Sequence, residues 1–398
     1  MALAPSSVAP PRAVTDPRLA PPPSTDTRPR VRTGGITPEV VSHVATSLLG
    51  SLALTWLIYE NLITVSGTIG FWLVWYGVFL VMLAAVSATT LDRQGVIDRV
   101  VAAIVTTCGL LLVVTLAGIV VFTFVRGKDA LGHPNFYSET TAYIGPEAQL
   151  DQGGILAAMV GTGQQVLISV LISVPLGLMT AVYLSEVGGR IANVVRRVVE
   201  TMSAVPTIVA GLFIYSLLII QLGGERSGFA ASLALCVSMI PVVCTTAEVV
   251  LRLVPNGLRE ASLALGTSQW QTVRRVVLPT ARPGLVTAVL LGVARVIGET
   301  SPVLLVAGNT SEMNADPFHG PQLSLPLFIF TQMRLPFDVA LQRAFGAGVV
   351  LLFLVVLFFS LARIIGGRPL GRTSPRKQRR LNARFAEAAR TDSEGAAA

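Results

Sequence analysis

The sequence predicts an all-α, polytopic transmembrane helical bundle of about eight spans with both termini in the cytoplasm. Of 398 residues, 52% are hydrophobic and only 13% charged, about half the charged share of a soluble domain. The apolar residues run in long continuous blocks, without the period-two alternation of barrel strands. Lys and Arg crowd the segments between particular blocks, as they do on the cytoplasmic side of a membrane protein.

Residues 1–36 are rich in Pro, Ala, Ser, Thr and Arg. They offer no apolar core, so a disordered cytoplasmic tail is expected. They also make a poor signal peptide, because the first apolar block comes late and is long. Apolar blocks follow at about 40–59, 68–89, 99–125, 155–184, 201–221, 228–250, 284–308 and 344–365. Pro175, Pro206, Pro241 and Pro302 fall within them and are read mainly as kinks that bundle packing tolerates.

The loops assign sidedness. Arg190, Arg196 and Arg197 lie in 186–200; Arg252, Arg259, Arg274, Arg275 and Arg282 lie in 251–283. Further arginines, from Arg368 to Arg384, fill the C-terminal tail. These segments are expected inside, and the more acidic 126–154 and 309–343 outside. The expected organisation is a tail at 1–36, a helix pair at 37–94, a larger transmembrane domain at 95–368 with a cytoplasmic loop at 254–281, and a basic tail at 369–398. The net charge of +8 does not point to nucleic acid, since no aromatic residues interleave with the tail arginines. Cys108, Cys236 and Cys244 all lie in apolar stretches and are expected to be buried free thiols.

Between the sixth and seventh blocks runs LREASLALGTSQWQTVRRVVLPTARPG. Leu258, Ala261 and Leu265 share one helix face, with Arg259 and Ser262 turned away. Gly266 suits a left-handed helix end. A second short helix is expected from Ser268, as cap, to Val277, with Pro279 stopping it. On these grounds alone the segment is an amphipathic loop at the membrane surface. Its residues also resemble the EAA loop of bacterial ABC-importer permeases: Glu260-Ala261-Ser262, then Gly266, then Val276-Val277-Leu278-Pro279, with Ser262 for Ala and Val276 for Ile. The stretches VPLGLMTAVYLSE, VPTIVAGLFIYSLL, ALGTSQW and ARVIGETSPVLL are similar to phosphate-specific permeases of the PstA type, over roughly 95–368. Cys244 departs from that pattern, standing where relatives carry a basic residue before Thr245, Thr246 and Glu248.

The resemblance implies the type I ABC importer permease fold. It makes the loop a coupling helix, with Glu260, Ala261, Gly266, Leu278 and Pro279 seated on a cytoplasmic ATPase. It implies a homologous second permease, two ATPase subunits, an extracytoplasmic phosphate-binding protein, phosphate as cargo, lipid around the bundle and no cofactor. The setting it implies is the bacterial cytoplasmic membrane. Such permeases usually have six spans, so the first two are either an addition or the product of one span divided wrongly.

The stretch ARVIGETSP places Arg295 and Glu299 inside an apolar block. If that span starts near Gly284, Arg295 lies about 16 Å along it, near the middle of the hydrocarbon core. Arg295 and Glu299 are then one turn apart on one face. A structural reading makes them a self-neutralising pair. The functional reading uses the guanidinium fork for a phosphate oxyanion, with Glu299 compensating the empty arginine; intramembrane charges usually mark a substrate route. Thr300 and Glu248 complete the candidate route. The rivals are a permease for another oxyanion, such as sulfate or molybdate, and a membrane-embedded enzyme or sensor. Catalysis has no support: Gly366–Thr373 copies P-loop spacing but has Arg372 for lysine and no preceding strand. His43, His133 and His319 lie far apart in sequence.

Overall fold

Apolar runs of this length become helices because lipid leaves the backbone no other hydrogen-bonding partner. A computed structural model describes residues 38–61 and 67–366, and every regular element among them is helical. The expected tails at 1–36 and 369–398 lie outside the described residues, as does most of Gly366–Thr373. Seven described helices are long and apolar enough to cross a membrane, or eight spans if one bent pair counts as a span.

The chain divides into two units between Val114 and Thr115. In the first, α1 (Pro38–Asn61) and α2 (Thr68–Ala88) form an antiparallel hairpin joined by the start of α3 (Arg93–Leu131). Ser47, Ser51 and Thr55 recur every fourth residue on α1 and are fully buried. Small residues at this spacing let transmembrane helices approach closely. The Ser51 hydroxyl donates back to the Leu48 carbonyl at 3.0 Å.

In the second unit, α5 (Leu156–Val182) packs on α8 (Gly228–Arg252). The first half of α8 is rich in small residues, including Ala230, Ala231, Ser232 and Ala234. Ser169 of α5 therefore reaches its backbone, donating to the Ser232 carbonyl at 3.0 Å. One apolar core gathers Val166, Leu235, Met239, Val296 and Val303. A second gathers Leu184, Val199, Cys244, Leu251 and Val277 nearer the other end of α8. Pro175 and Pro241 sit inside α5 and α8, as expected of bundle kinks. The last helix, α14 (Asp338–Gly366), is reached through a short α13 (Leu325–Gln332). At its start the buried Arg343 donates to the carbonyls of Ala148, Gln149 and Gln152, at 2.7–2.9 Å.

Several expectations are corrected. The 201–221 block is not one straight span: α6 (Gly189–Ala204) and α7 (Thr207–Ile214), which continues as π-helix to Gln221, meet at 104°. Pro206 is the cause, since it forces Val205 out of helical geometry, to ψ 125°. Residues 189–200, expected as loop, are accordingly part of α6. The 284–308 block is also broken. There α11 (Leu278–Ile297) ends well before α12 (Ser301–Val306), whose second residue is Pro302. Pro279 stops nothing: the helix runs on from Gln269 to Ile297, with a π-turn at Val273–Val277 just ahead of the proline. Cys236 and Cys244 are buried, but Cys108 is exposed.

Candidate functional site

The break between α11 and α12 sets the site. Arg295 lies in the last turn of α11 rather than mid-helix, and Glu299 lies beyond its end. The Glu299 amide donates to the Val296 carbonyl at 3.1 Å, the last link to the helix. Thr300 stands at the start of α12, where its hydroxyl makes no capping bond. The expected Arg295–Glu299 pair does not form: among the described residues no hydrogen bond or ion pair joins their side chains. The physical reason is loss of register, because i,i+4 neighbours face each other only while the helix continues. Arg295 instead lies exposed on the surface of this single chain.

Glu299 lines a cavity of about 10 Å³ together with Thr162 and Gln165 of α5 and Ser324. That is room for one water-sized group, too little for a tetrahedral oxyanion. A folded-back segment before α13 forms its floor, stitched to α5 by polar side chains. Thr162 Oγ1 accepts from the Leu325 amide at 2.7 Å and donates to the Ala158 carbonyl at 2.8 Å. Gln165 Nε2 donates to Gln322 Oε1 at 3.2 Å, and Gln322 Nε2 donates to Gln164 Oε1. Gly161 is required by the same approach, since a Cβ there would strike the Leu323 carbonyl oxygen. The Ser324 hydroxyl is buried without a partner among the described residues.

Glu248 is not part of this cluster. It lies 13 residues beyond the cavity-lining Leu235 on α8, about 20 Å along the helix. Its Oε1 accepts from Arg196 and from Arg252, both at 2.6 Å, tying α6 to α8.

The 254–281 loop folds as α9 (Asn256–Ala264), a turn, and α10 (Gln269–Thr272). Gly266 makes the turn at φ 81°. Ser268 and Gln271 form a reciprocal capping box at the start of α10. The polar side of α9 faces inward. Ser262 is buried and bonds Thr267 at 2.8 Å and Thr272 at 3.0 Å. Arg259 donates to the carbonyls of Leu251 and Val254 and to Glu186. The face of Leu258, Ala261 and Leu265 points out, with Leu265 85% exposed and Trp270 exposed beyond it. Glu260 is exposed, Pro279 exposed and Leu278 half-buried. An amphipathic helix that buries its polar side and presents its apolar side is built to be covered by something else.

Sequence reasoning missed Thr162, Gln165, Gln322 and Ser324. The available signal was two adjacent glutamines, Gln164 and Gln165, inside an apolar block.

These features define a multi-pass helical membrane protein with a broken span over a polar floor and an outward-facing surface helix. The chain matches the family described as "Binding-protein-dependent transport system inner membrane component" over residues 173–370. It is 44% identical over 231 residues to the phosphate transport system permease protein PstA 1 of Mycobacterium tuberculosis (strain ATCC 25618 / H37Rv), covering 58% of this chain and 74% of that one. It is 42% identical over 247 residues to PstA of Mycobacterium leprae, covering 62% and 81%. Against PstA of Pasteurella multocida the identity is 34% over 248 residues, covering 62% and 86%. Among solved structures, a chain of the inward-facing MetNI methionine ABC transporter is 24% identical, with a TM-score of 0.42, covering 54% of this chain and 93% of that one. The chain belongs to the family of PstA phosphate transport system permeases.

Proposed function

We propose that this protein is a membrane permease subunit of an ATP-driven phosphate importer in the bacterial cytoplasmic membrane. The observation that carries the reading is 44% identity to a phosphate transport permease over 231 residues. The chain supplies part of a pathway and a coupling element; ATP is hydrolysed on a partner. The partners are a homologous second permease, two cytoplasmic ATPase subunits and an extracytoplasmic phosphate-binding protein. The exposed apolar face of α9, with Glu260, Ala261 and Gly266 beside it, supports the ATPase contact. Leu278 and Pro279 belong to the helix that continues from it.

Arg295 meets the anion. It carries a positive charge, has no ion-pair partner among the described residues and stands exposed, free to be enclosed by a second permease. A guanidinium fork matches an oxyanion. Glu299, across the helix break with Thr300, supplies a negative charge that keeps the cation from trapping its cargo. Glu248 serves the route from a distance, by holding α6 against α8.

Radiolabelled phosphate uptake in a strain deleted for its own permease tests the reading. Uptake restored by this chain with its partners, and competed by phosphate far better than by sulfate or molybdate, is expected. Equal competition by the other oxyanions would overturn the substrate.

A further inference from the structure

The first unit carries a groove apart from the residues proposed for the pathway. It has a volume of about 480 Å³ and runs between α1, α2 and α3. Val44, Leu48, Trp75, Phe79, Ala103 and Leu110 give it apolar walls. From Arg99 to Leu110 it follows α3 for about 16 Å, enough for most of an acyl chain.

Arg99 is the only charged side chain lining it among the described residues. Its Nη1 donates to His43 Nδ1 of α1 at 3.0 Å, so that ring nitrogen acts as acceptor. No carboxylate pairs with either residue among those described. Asp92 and Asp98 are exposed and stand outside the lining, and Asp92 is engaged by the Gly95 amide at 3.0 Å. The rest of the guanidinium fork is therefore left for an anion. Arg99 and His43 both lie near the N-terminal ends of their helices. The Lys/Arg pattern assigns that end to the cytoplasmic leaflet.

An apolar trough with one cation at its leaflet end, unpaired with any carboxylate among the described residues, complements a single class of ligand. We propose that this unit binds one anionic phospholipid, with an acyl chain in the groove and the phosphate on Arg99. Basic pockets between spans on the cytoplasmic side hold lipid headgroups in this way. The headgroup is net anionic: with no carboxylate facing the site among the described side chains, the ammonium of a zwitterionic lipid meets no partner there.

Trp75 reports on the groove. The full chain with Trp56→Phe, Trp72→Phe and Trp270→Phe keeps it as the one tryptophan. Reconstituted into vesicles, this chain is exposed to equal mole fractions of dibrominated phosphatidylglycerol or dibrominated phosphatidylcholine, whose bromines quench indole. The expected result is about fivefold stronger apparent association of the anionic lipid, the scale of one basic residue's contribution. Arg99→Gln should equalise the two lipids, and Ala103→Phe should fill the groove and lower quenching by both. Equal quenching in the parent chain, a preference that survives Arg99→Gln, or no quenching by either lipid because protein covers the groove would each overturn the proposal. Monodisperse elution of every variant guards against reading misfolding as lost binding.

Discussion

Arg259 of α9 donates to Glu186 at the π-helical end of α5, at 2.9 Å, across 73 residues of sequence. The side chains are 18% and 9% exposed, so solvent screens the pair weakly. The same guanidinium binds the carbonyls of Leu251 and Val254, which close α8. One side chain therefore fastens the surface helix to both α5 and α8. The other end of α5 carries Thr162 and Gln165, beside Glu299. The surface helix α9 is thus joined, through the body of one helix, to the broken span.

That geometry predicts an asymmetry. Glu186→Gln removes the charge but leaves an acceptor, and should lower uptake several-fold while the complex still assembles. Arg259→Gln also loses the carbonyl contacts and should be the worse of the two, by about 1–3 kcal/mol of local stability. The charge swap Glu186→Arg/Arg259→Glu should not rescue, because a carboxylate cannot donate to the Leu251 and Val254 carbonyls. Uptake and ATPase activity of assembled complexes measure this. Full rescue by the swap would reduce the contact to simple charge pairing.

Gly266 separates sterics from backbone conformation. No atom stands within 4 Å of where its Cβ would be, yet its φ is 81°. The constraint is the left-handed backbone, costing a non-glycine residue about 1–2 kcal/mol. Gly266→Asn should be mildest, Gly266→Ala intermediate and Gly266→Val worst, since asparagine tolerates this region and β-branched residues do not. Phosphate uptake normalised to membrane-inserted protein should fall in that order. Normal uptake by a well-expressed Gly266→Val chain would remove the coupling role.

The loop between α12 and α13 should resist acid. The Phe318 amide and then the His319 side chain hold the Asp316 carboxyl below its ordinary value. A lowered carboxyl stabilises its surroundings above the unfolded value, and the effect is lost only as pH falls through the lower folded value. Protection of the Phe318 amide from hydrogen exchange, corrected for intrinsic rate, should therefore persist at about pH 4, the ordinary aspartate range. Asp316→Asn should abolish that dependence. Across the same surface the Tyr143 phenol, donating to Glu312 at 2.8 Å, has its pKa raised by that carboxylate. The tie should hold until pH rises past the ordinary phenol value of about 10, read as phenolate absorbance lost in Tyr143→Phe.

Sequence disclosed the spans and the surface loop because both are governed locally. Lipid dictates helix wherever the run is apolar, and Gly266, Ser268 and Gln271 encode turn and cap within a few residues. The helix breaks were written locally too, in Pro206 and Pro302, but the same residue type sits unbroken in α5 and α8 as Pro175 and Pro241. Tertiary packing decides between kink and break. Glu299's surroundings lay beyond sequence reasoning for a different reason. Gln165 meets Gln322 across 157 residues, and no local pattern encodes that meeting. The inward turn of Arg259 and Ser262 was equally hidden, since helix periodicity defines two faces without saying which one the rest of the chain covers.

Arg295 and Glu299 give the sharpest test, because the helix break has separated them. Were they a structural pair, Arg295→Met/Glu299→Met would restore both assembly and transport, as apolar replacements of buried pairs do. No such pair forms here, so the double variant should assemble and fail to transport. Arg295→Gln should lower uptake about 10- to 100-fold, the scale of one charge-assisted hydrogen bond, with assembly intact. Arg295→Lys should be impaired as well, because an ammonium lacks the planar fork. Glu299→Gln should differ in kind: with the carboxylate gone from across the break, the anion should be held longer, so maximal uptake should fall while apparent affinity holds or rises. Glu248→Gln should act through the fold instead, loosening α6 and lowering thermal stability of the complex without changing phosphate affinity. Uptake per assembled complex, measured over a range of phosphate concentrations for all five variants, separates these outcomes. Recovered transport in the double methionine variant would return both residues to a structural role and remove Arg295 from the pathway.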